Sequence, residues 1–504
     1  MLKKRRYQYP AIAFAVFLFS GVLWLKDKFG SVTLDQIIYH FEFGSEGLLT
    51  ADPAFAASFI RACVLIPLLA VIIVFIFNEA DGGPWYRFLG GTYKKLSGIF
   101  KNSFGKLTFV RRVGNRIARY ALIYSFVLLA ASVGFFFYNF PASGTIKNRL
   151  SKAPDYYADH YIDPQKATFT KGHLKNLVLI YAESLKNTYE DSERFGENLL
   201  QPLLDVRNKE KGFSFASFSQ MPGTAWTIAG IVGTQCGIPL KSMTMYSGNK
   251  QGEKLELFLP HATCLGEILK AYDYRNVYMR GASMKFAGAD KFFKAHGYDE
   301  IYGREEWLVQ GYRPEHMNKW GLYDEDLFAE AKLKLAELMQ KKERFNLTLL
   351  TLDTHHPKGN LSRICARKGY DKFEDTVRCS SEQIADFIRF IDAQGWSIQI
   401  VVMGDHLAMK NPVYEKLTNN ADRTIFNMFL SDNKNYEKNR DHINHFDMMP
   451  TILNFVGLKV QGDRLGLGYS GIGAGVTPPE DAEALMQERS LAKSEIYSEF
   501  WKQD

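Results

Sequence analysis

Three stretches of this 504-residue chain place carboxylate and imidazole groups directly after apolar runs. Leu177-Val178-Leu179-Ile180-Tyr181 leads into Glu183-Ser184, residues 345–352 into Asp353-Thr354-His355-His356, and residues 398–403 into Gly404-Asp405-His406. Between the first two lies Met221-Pro222-Gly223-Thr224-Ala225-Trp226-Thr227, followed by a glycine-rich run that suits a helix. Carboxylates joined by imidazole form a donor set for a divalent cation, with zinc or manganese the fitting ions. Each feature alone says little. A single glutamate at a strand end more often caps a helix, and an Asp-His dipeptide is common. Their weight comes from several strands ending in the same way.

These groups meet only if the strands lie side by side. A short continuous apolar run bounded by polar residues is the pattern of a parallel strand buried on both faces. It occurs at 177–181, 276–279, 345–352, 398–403 and 425–430, alternating with helical patterns at 194–210, 325–341, 380–394 and 446–456. The alternation predicts an α/β fold, a mostly parallel sheet between helices, with ligands at the carboxyl ends of its strands. Residues 173–475 are expected to form this catalytic domain, 141–172 a polar linker before it, and 476–504 a helical tail.

The first 140 residues differ in kind. They carry a net charge of +9, whereas the other 364 carry −2, so the basic excess gives no indication of a nucleic-acid partner. Apolar stretches at 10–25, 62–77 and 121–140 each approach the length of a membrane-spanning helix. A cleaved signal peptide is the rival reading of the first, but Lys26-Asp27-Lys28 follows it with no small-residue cleavage site. The loop 78–119 holds nine basic residues against Glu79 and Asp81, so positive charge is expected to keep it and the N-terminus in the cytoplasm. Three spans then deliver the large domain to the outside. Cysteine usage agrees: Cys63 lies in a span, while Cys236, Cys264, Cys365 and Cys379 are well separated in the large domain, as in an oxidising compartment. Pairing Cys236 with Cys264 and Cys365 with Cys379 closes the shortest loops, and two other pairings remain open.

The segments also resemble a known family. Asn176–Ser184 resembles the opening strand of the alkaline phosphatase/sulfatase superfamily in its lipid-dependent transferase branch, and residues 222–230 its nucleophile segment. Gly404-Asp405-His406 is similar to its second metal motif, and residues 445–452 to its late helix. Residues 235–240, 286–288 and 351–357, with the four external cysteines, look like the phosphoglycerol transferases of osmoregulated periplasmic glucans. The resemblance implies a sulfatase-like domain behind three transmembrane helices. It makes Glu183, Thr224, Asp405 and His406 the ligands of one divalent metal (manganese or zinc, with magnesium a further option) and Thr224 the nucleophile. His355 aligns with a substrate-binding histidine. Lipoteichoic acid synthases hold the headgroup with a Trp and an Arg where this chain has Ala287 and Ala289, so Arg280 or Lys285 is expected to supply the charge.

The function so implied is transfer of phosphoglycerol from phosphatidylglycerol to a periplasmic glycan, by an enzyme of the bacterial inner membrane with its catalytic domain in the periplasm. Phosphoethanolamine transfer to glucan or lipid A is the alternative headgroup. A non-catalytic glycan-binding receptor is the alternative of another class, and an intact ligand and nucleophile set argues against it.

Overall fold

A computed structural model describes residues 7–30, 32–34, 37, 53–80, 107–141, 154–241, 256–418, 423–432, 436–473 and 475–502. The chain divides into two compact units, one of residues 1–32 and 53–142, the other of 33–52 and 143–504.

In the first unit, α1 (Gln8–Phe29), a second helix ending in α2 (Ile66–Ala80), and α3 (Leu107–Asn139) supply three stretches long and apolar enough to cross a membrane. Those stretches are Gln8–Phe29, Ala56–Phe75 and Leu122–Asn139, close to the expected ones. Their exposed faces carry Leu68, Leu69, Ile72, Phe126 and Val127, apolar surface that water does not favour and lipid does. They suggest a membrane anchor. Polar groups bind the helices to each other: Trp24 Nε1 donates to Ser58 Oγ at 3.0 Å, and Lys26 Nζ to Asn139 Oδ1 at 2.9 Å.

The second unit is built on a six-stranded sheet of β1 (Asn176–Ala182), β2 (Tyr274–Arg280), β3 (Glu300–Tyr302), β4 (Arg344–Leu350), β5 (Ile398–Gly404) and β6 (Asn427–Leu430). Its spatial order is β3-β2-β4-β1-β5-β6, parallel throughout except for β6, which runs antiparallel to β5 at the edge. β1 is thus central, and Leu177 to Tyr181 are fully buried, which is why that run is apolar at every position. Alternate residues serve opposite faces. Val178 and Ile180 join the core beneath α4 (Gln201–Lys209), α6 (Asp324–Lys341) and α7 (Phe373–Ala393). On the other face, Tyr181 places its hydroxyl 2.7 Å from Thr234 of α5 (Thr227–Cys236), which packs with α8 (Met448–Phe455).

The described part of the expected linker carries structure of its own. Tyr156 and Tyr157 are buried in a short helix, Tyr156–His160, and Phe169–Lys171 pairs antiparallel with Leu458–Val460. The tail folds back onto this segment: the Tyr157 hydroxyl donates to Ser490 O at 2.9 Å. Both disulfides form as the shortest-loop pairing has it, Cys236–Cys264 and Cys365–Cys379, with Cys63 free. The first fastens the end of α5 to the residue that caps the helix Leu265–Ala271.

Candidate active site

The register of the sheet brings β1 and β5 to the same edge. Ala182 lies beside Gly404, so Glu183 and Asp405-His406 emerge together. All three are buried, and their ligand atoms lie within 4.8 Å of one another. His406 Nε2 stands 3.3 Å from Asp405 Oδ2 and 3.7 Å from Glu183 Oε1.

Backbone and hydroxyl donors fix each group. Asp405 Oδ1 accepts the N–H groups of Ser184 at 2.8 Å and of His406 at 3.0 Å. Its other oxygen, Oδ2, is buried without a hydrogen-bond partner. A carboxylate oxygen left bare in the interior is costly unless a cation meets it. His406 Nδ1–H donates to Leu407 O at 2.9 Å, which turns the bare lone pair of Nε2 toward the carboxylates. Ser184, held in the left-handed region at φ 56°, donates its hydroxyl to Glu183 Oε1 at 2.6 Å. Charge crowding shows in the titration. Burial and the neighbouring Glu183 push Asp405 up to about 6. Burial would lower His406, but the Asp405 and Glu183 carboxylates outweigh it and raise its pKa. An orphaned carboxylate oxygen, a second carboxylate and an aimed imidazole together fit a divalent metal.

The structure does not bring Thr224 to the cluster. Thr224 is fully buried, and its hydroxyl donates to Met221 O at 2.6 Å and lies 3.3 Å from His445 Nδ1. Its methyl group fills the space over Gly233, where an added Cβ would stand 2.8 Å from Thr224 Cγ2. Thr224 thus packs beneath α5, with its hydroxyl bonded to the backbone. Helix α5 begins at Thr227, not at Thr224, and the half-buried Thr227 Oγ1 lies 3.4 Å from Glu183 Oε2 and 3.5 Å from His406 Nε2. The missed signal is the helix start. The residue before it, Trp226, makes no side-chain cap, so the sequence shows no Ser, Asp or Asn where a helix commonly begins.

Gly230 explains how α5 comes so close. A Cβ there would stand 2.1 Å from the carbonyl oxygen of Asp405, so only glycine lets this helix reach the end of β5. His445 sits beneath, with Nε2 3.0 Å from the same carbonyl. Burial drives its pKa down to about 4, so it is neutral, and its ring nitrogens face protein oxygens, Nδ1 at 3.3 Å from Thr224 Oγ1 and Ser219 O and Nε2 on Asp405 O.

His355 follows β4. Its Nδ1 lies 2.7 Å from His356 O, and burial, with nearby His406 adding, lowers its pKa to about 4. The turn that carries it is pinned twice: Thr354 Oγ1 donates to Glu183 O at 2.6 Å, and Asp324 Oδ1 accepts Leu352 N at 2.7 Å. Trp320, which the sequence reading missed, sets its ring 4.6 Å from that of His355 and 5.4 Å from Phe286. Arg280 departs from expectation. Its guanidinium is buried and donates to the carbonyls of Ser283 and Phe286, so it fastens the loop after β2. Lys285 is exposed on that loop, and among the described residues its ammonium makes no bond to the cluster.

Residues 175–458 match the sulfatase family profile. The chain is 39% identical over 337 residues to phosphoglycerol transferase I of Salmonella typhi and 40% over 336 residues to that of Escherichia coli. Each match covers 65% of this chain and 42% of the relative, so the chain spans less than half the length of these relatives. Among solved structures, the lipoteichoic acid synthase LtaP of Listeria monocytogenes is 18% identical with a TM-score of 0.47, covering 61% of this chain and 80% of that one. Lipooligosaccharide phosphoethanolamine transferase A of Neisseria meningitidis is 11% identical with a TM-score of 0.48, covering 89% and 83%. With its strand ends, its cluster and more than half its length matched, the chain belongs to the sulfatase family of the alkaline phosphatase superfamily.

Proposed function

We propose that the chain moves the glycerophosphate headgroup of phosphatidylglycerol onto a glycan, with Thr227 carrying it between donor and acceptor. The observation that carries this reading is the Thr227 hydroxyl, on the first residue of α5 and within 3.5 Å of both Glu183 and His406. The headgroup follows the relatives named phosphoglycerol transferase I.

A manganese or zinc ion, or magnesium, held by Glu183, Asp405, His406 and Thr227 would favour the threonine alkoxide and neutralise phosphate charge. Thr227 Oγ attacks phosphorus, the bond from phosphorus to the diacylglycerol oxygen breaks, and the threonine proton leaves with that oxygen. An acceptor hydroxyl then attacks the same phosphorus, the bond to Thr227 breaks, and a proton returns to the threonine. The first-turn N–H groups of α5 have no acceptor within the helix and favour a phosphoryl oxygen. His355, neutral near pH 7, would accept the proton of the acceptor hydroxyl. Trp320 walls the same side. The basic loop 78–119 supports a cytoplasmic placement for that loop, with the catalytic unit in the periplasm of a bacterial cell and the lipid donor in the facing leaflet.

The test is diacylglycerol release by the full chain in detergent, supplied with phosphatidylglycerol or phosphatidylethanolamine. Release from phosphatidylglycerol that depends on added metal supports the reading. Release from phosphatidylethanolamine alone would change the headgroup, and release from neither would reject lipid transfer.

A further inference from the structure

The turn that presents His355 is built around two carboxyl groups that the transfer steps do not use. Asp324 is the first residue of α6, and Asp353 lies three residues past β4; they are 0% and 1% exposed. Each accepts from the other's backbone. Asp324 Oδ1 accepts Leu352 N at 2.7 Å and its Oδ2 accepts Asp353 N at 3.2 Å, while Asp353 Oδ2 accepts Asp324 N at 3.3 Å. These reciprocal bonds bring both carboxyl groups into one sealed space between α6 and the end of β4.

No cation balances them. Among the described residues neither carboxyl forms an ion pair, and Arg363, exposed nearby, engages Glu325 and, at 2.7 Å, Asp326 instead. The other ionisable groups around the pair are acids: Glu183 acts on Asp324, Glu325 on Asp353, and the Tyr323 phenol lies in the field of Asp353. Two ionised carboxylates enclosed together without a cation repel each other, and protonating one of them is the less costly state. Burial first, then the neighbouring carboxylate charge, raises both groups above the ordinary carboxylate range. Asp353 Oδ1 is also buried without a hydrogen-bond partner, a cost that a neutral carboxyl group reduces. Asp353 Oδ2 bonds the Ser362 hydroxyl, which accepts Gln383 Nε2 of α7 at 3.2 Å.

The pair is coupled to the reaction edge through the backbone. His355 N bonds Leu352 O at 3.0 Å, Asn360 N bonds Asp353 O at 2.6 Å, and Thr354 between them donates to Glu183 O at 2.6 Å. The far end of the segment is held to α7 by Cys365–Cys379. A shift of Asp353 against Asp324 therefore moves His355 relative to Glu183.

We propose that Asp324 and Asp353 are positioning residues, an acid–carboxylate pair sharing one proton that holds the turn carrying His355 in place beside Glu183. The positioning role rests on the transfer reading above; the shared proton stands on the geometry of the pair alone. Loss of the proton sets two charges against each other in the sealed space and drives the turn away from α6.

The test compares the full chain in detergent, loaded with manganese, with Asp353→Asn and Asp353→Ala. Asparagine keeps an oxygen for Asp324 N and Ser362 and is neutral at every pH, whereas alanine removes the bonds. An infrared difference spectrum at pH 7, wild type minus Asp353→Asn, should show a protonated carboxyl C=O band that shifts in heavy water. With phosphatidylglycerol as substrate, wild-type kcat should fall from pH 7 to 10 at constant KM, and Asp353→Asn should lack that fall. Asp353→Ala should lower kcat about 100-fold with KM little changed, the cost of a misplaced group; if it does not fold, the asparagine comparison decides. A purely structural role would lower the melting temperature and leave the pH profile of kcat unchanged. The proposal is overturned by absence of the carboxyl band, by the same alkaline fall in wild type and Asp353→Asn, or by wild-type kcat in Asp353→Ala. A second bound divalent ion in the wild type that Asp353→Asn lacks, read by elemental analysis, overturns it as well. A wild type that shows the band but releases no diacylglycerol overturns the positioning role and the transfer reading together, leaving the shared proton supported.

Discussion

Thr224 and Thr227 carry the same side chain three residues apart, yet their surroundings assign them different work. Thr224 has spent its hydroxyl on a backbone carbonyl in a sealed space, whereas Thr227 faces two cluster groups at the open end of a helix. Thr227→Ala is expected to abolish headgroup release while the melting temperature stays near that of the wild type. Thr224→Val should keep turnover and cost about 1 kcal/mol of stability, the worth of a buried hydrogen bond, measurable by urea unfolding. Glu183→Ala and Asp405→Ala should lose bound metal and activity together, read by elemental analysis after dialysis. Lys186 gives a pH signature of its own. It is fully buried, donates to Leu417 O at 3.1 Å, and burial, with Arg423 and Arg194 adding, lowers its pKa to about 7. The unfolded chain therefore binds this proton between about pH 7 and 10.5 when the folded chain does not, so stability rises with pH across that window. Lys186→Met should flatten the slope measured from pH 7 to 10; an unchanged slope would remove this lysine from the account.

At the scale of elements, close approach matters more than composition. Gly230→Ala would set a methyl group against the carbonyl of Asp405, so α5 must withdraw from β5. Loss of activity is expected with Thr227, Glu183 and His406 all intact, and metal affinity should fall as well. Wild-type activity in this variant would show that the helix position is not what aligns the threonine. The strands were legible because burial on both faces of a parallel sheet demands an unbroken apolar run, as at Leu177–Tyr181. The carboxyl edge was legible for the same reason, since polar residues begin where the strands stop. The start of α5 was not. Gly223-Thr224 looks like a helix entrance, but a turn in which Thr224 N bonds Met221 O occupies those residues. Trp226 then begins the helix with no side-chain cap to mark it. Three residues separate the expected threonine from the one at the cluster.

Across the whole molecule, the polar look of 154–171 concealed a structural role. Tyr156 and Tyr157 are buried, and the tail contributes Tyr497, whose hydroxyl bonds Pro239 O at 3.0 Å and accepts Lys241 N at 2.9 Å. The aromatic residues in both segments were the available signal. Removing residues 476–504 should therefore lower the melting temperature of the catalytic unit; an unchanged melting curve would contradict this packing. The division of charge between the first 140 residues and the remainder supports the proposed periplasmic placement of the catalytic unit. An alkaline phosphatase reporter is expected to be active when fused after residue 145 and inactive when fused near Lys95. The reverse pattern would put the catalytic unit on the cytoplasmic side and remove the periplasmic acceptor.

The central claim is that Thr227 becomes covalently phosphorylated. Incubating the full chain with phosphatidylglycerol in the absence of acceptor, quenching in acid and fragmenting the peptide that holds both threonines tests it most directly. A glycerophosphoryl mass localised to Thr227, absent from Thr227→Ala and discharged by adding a glycan, is the predicted result. The same mass on Thr224, or diacylglycerol release with no adduct on either threonine, would contradict it.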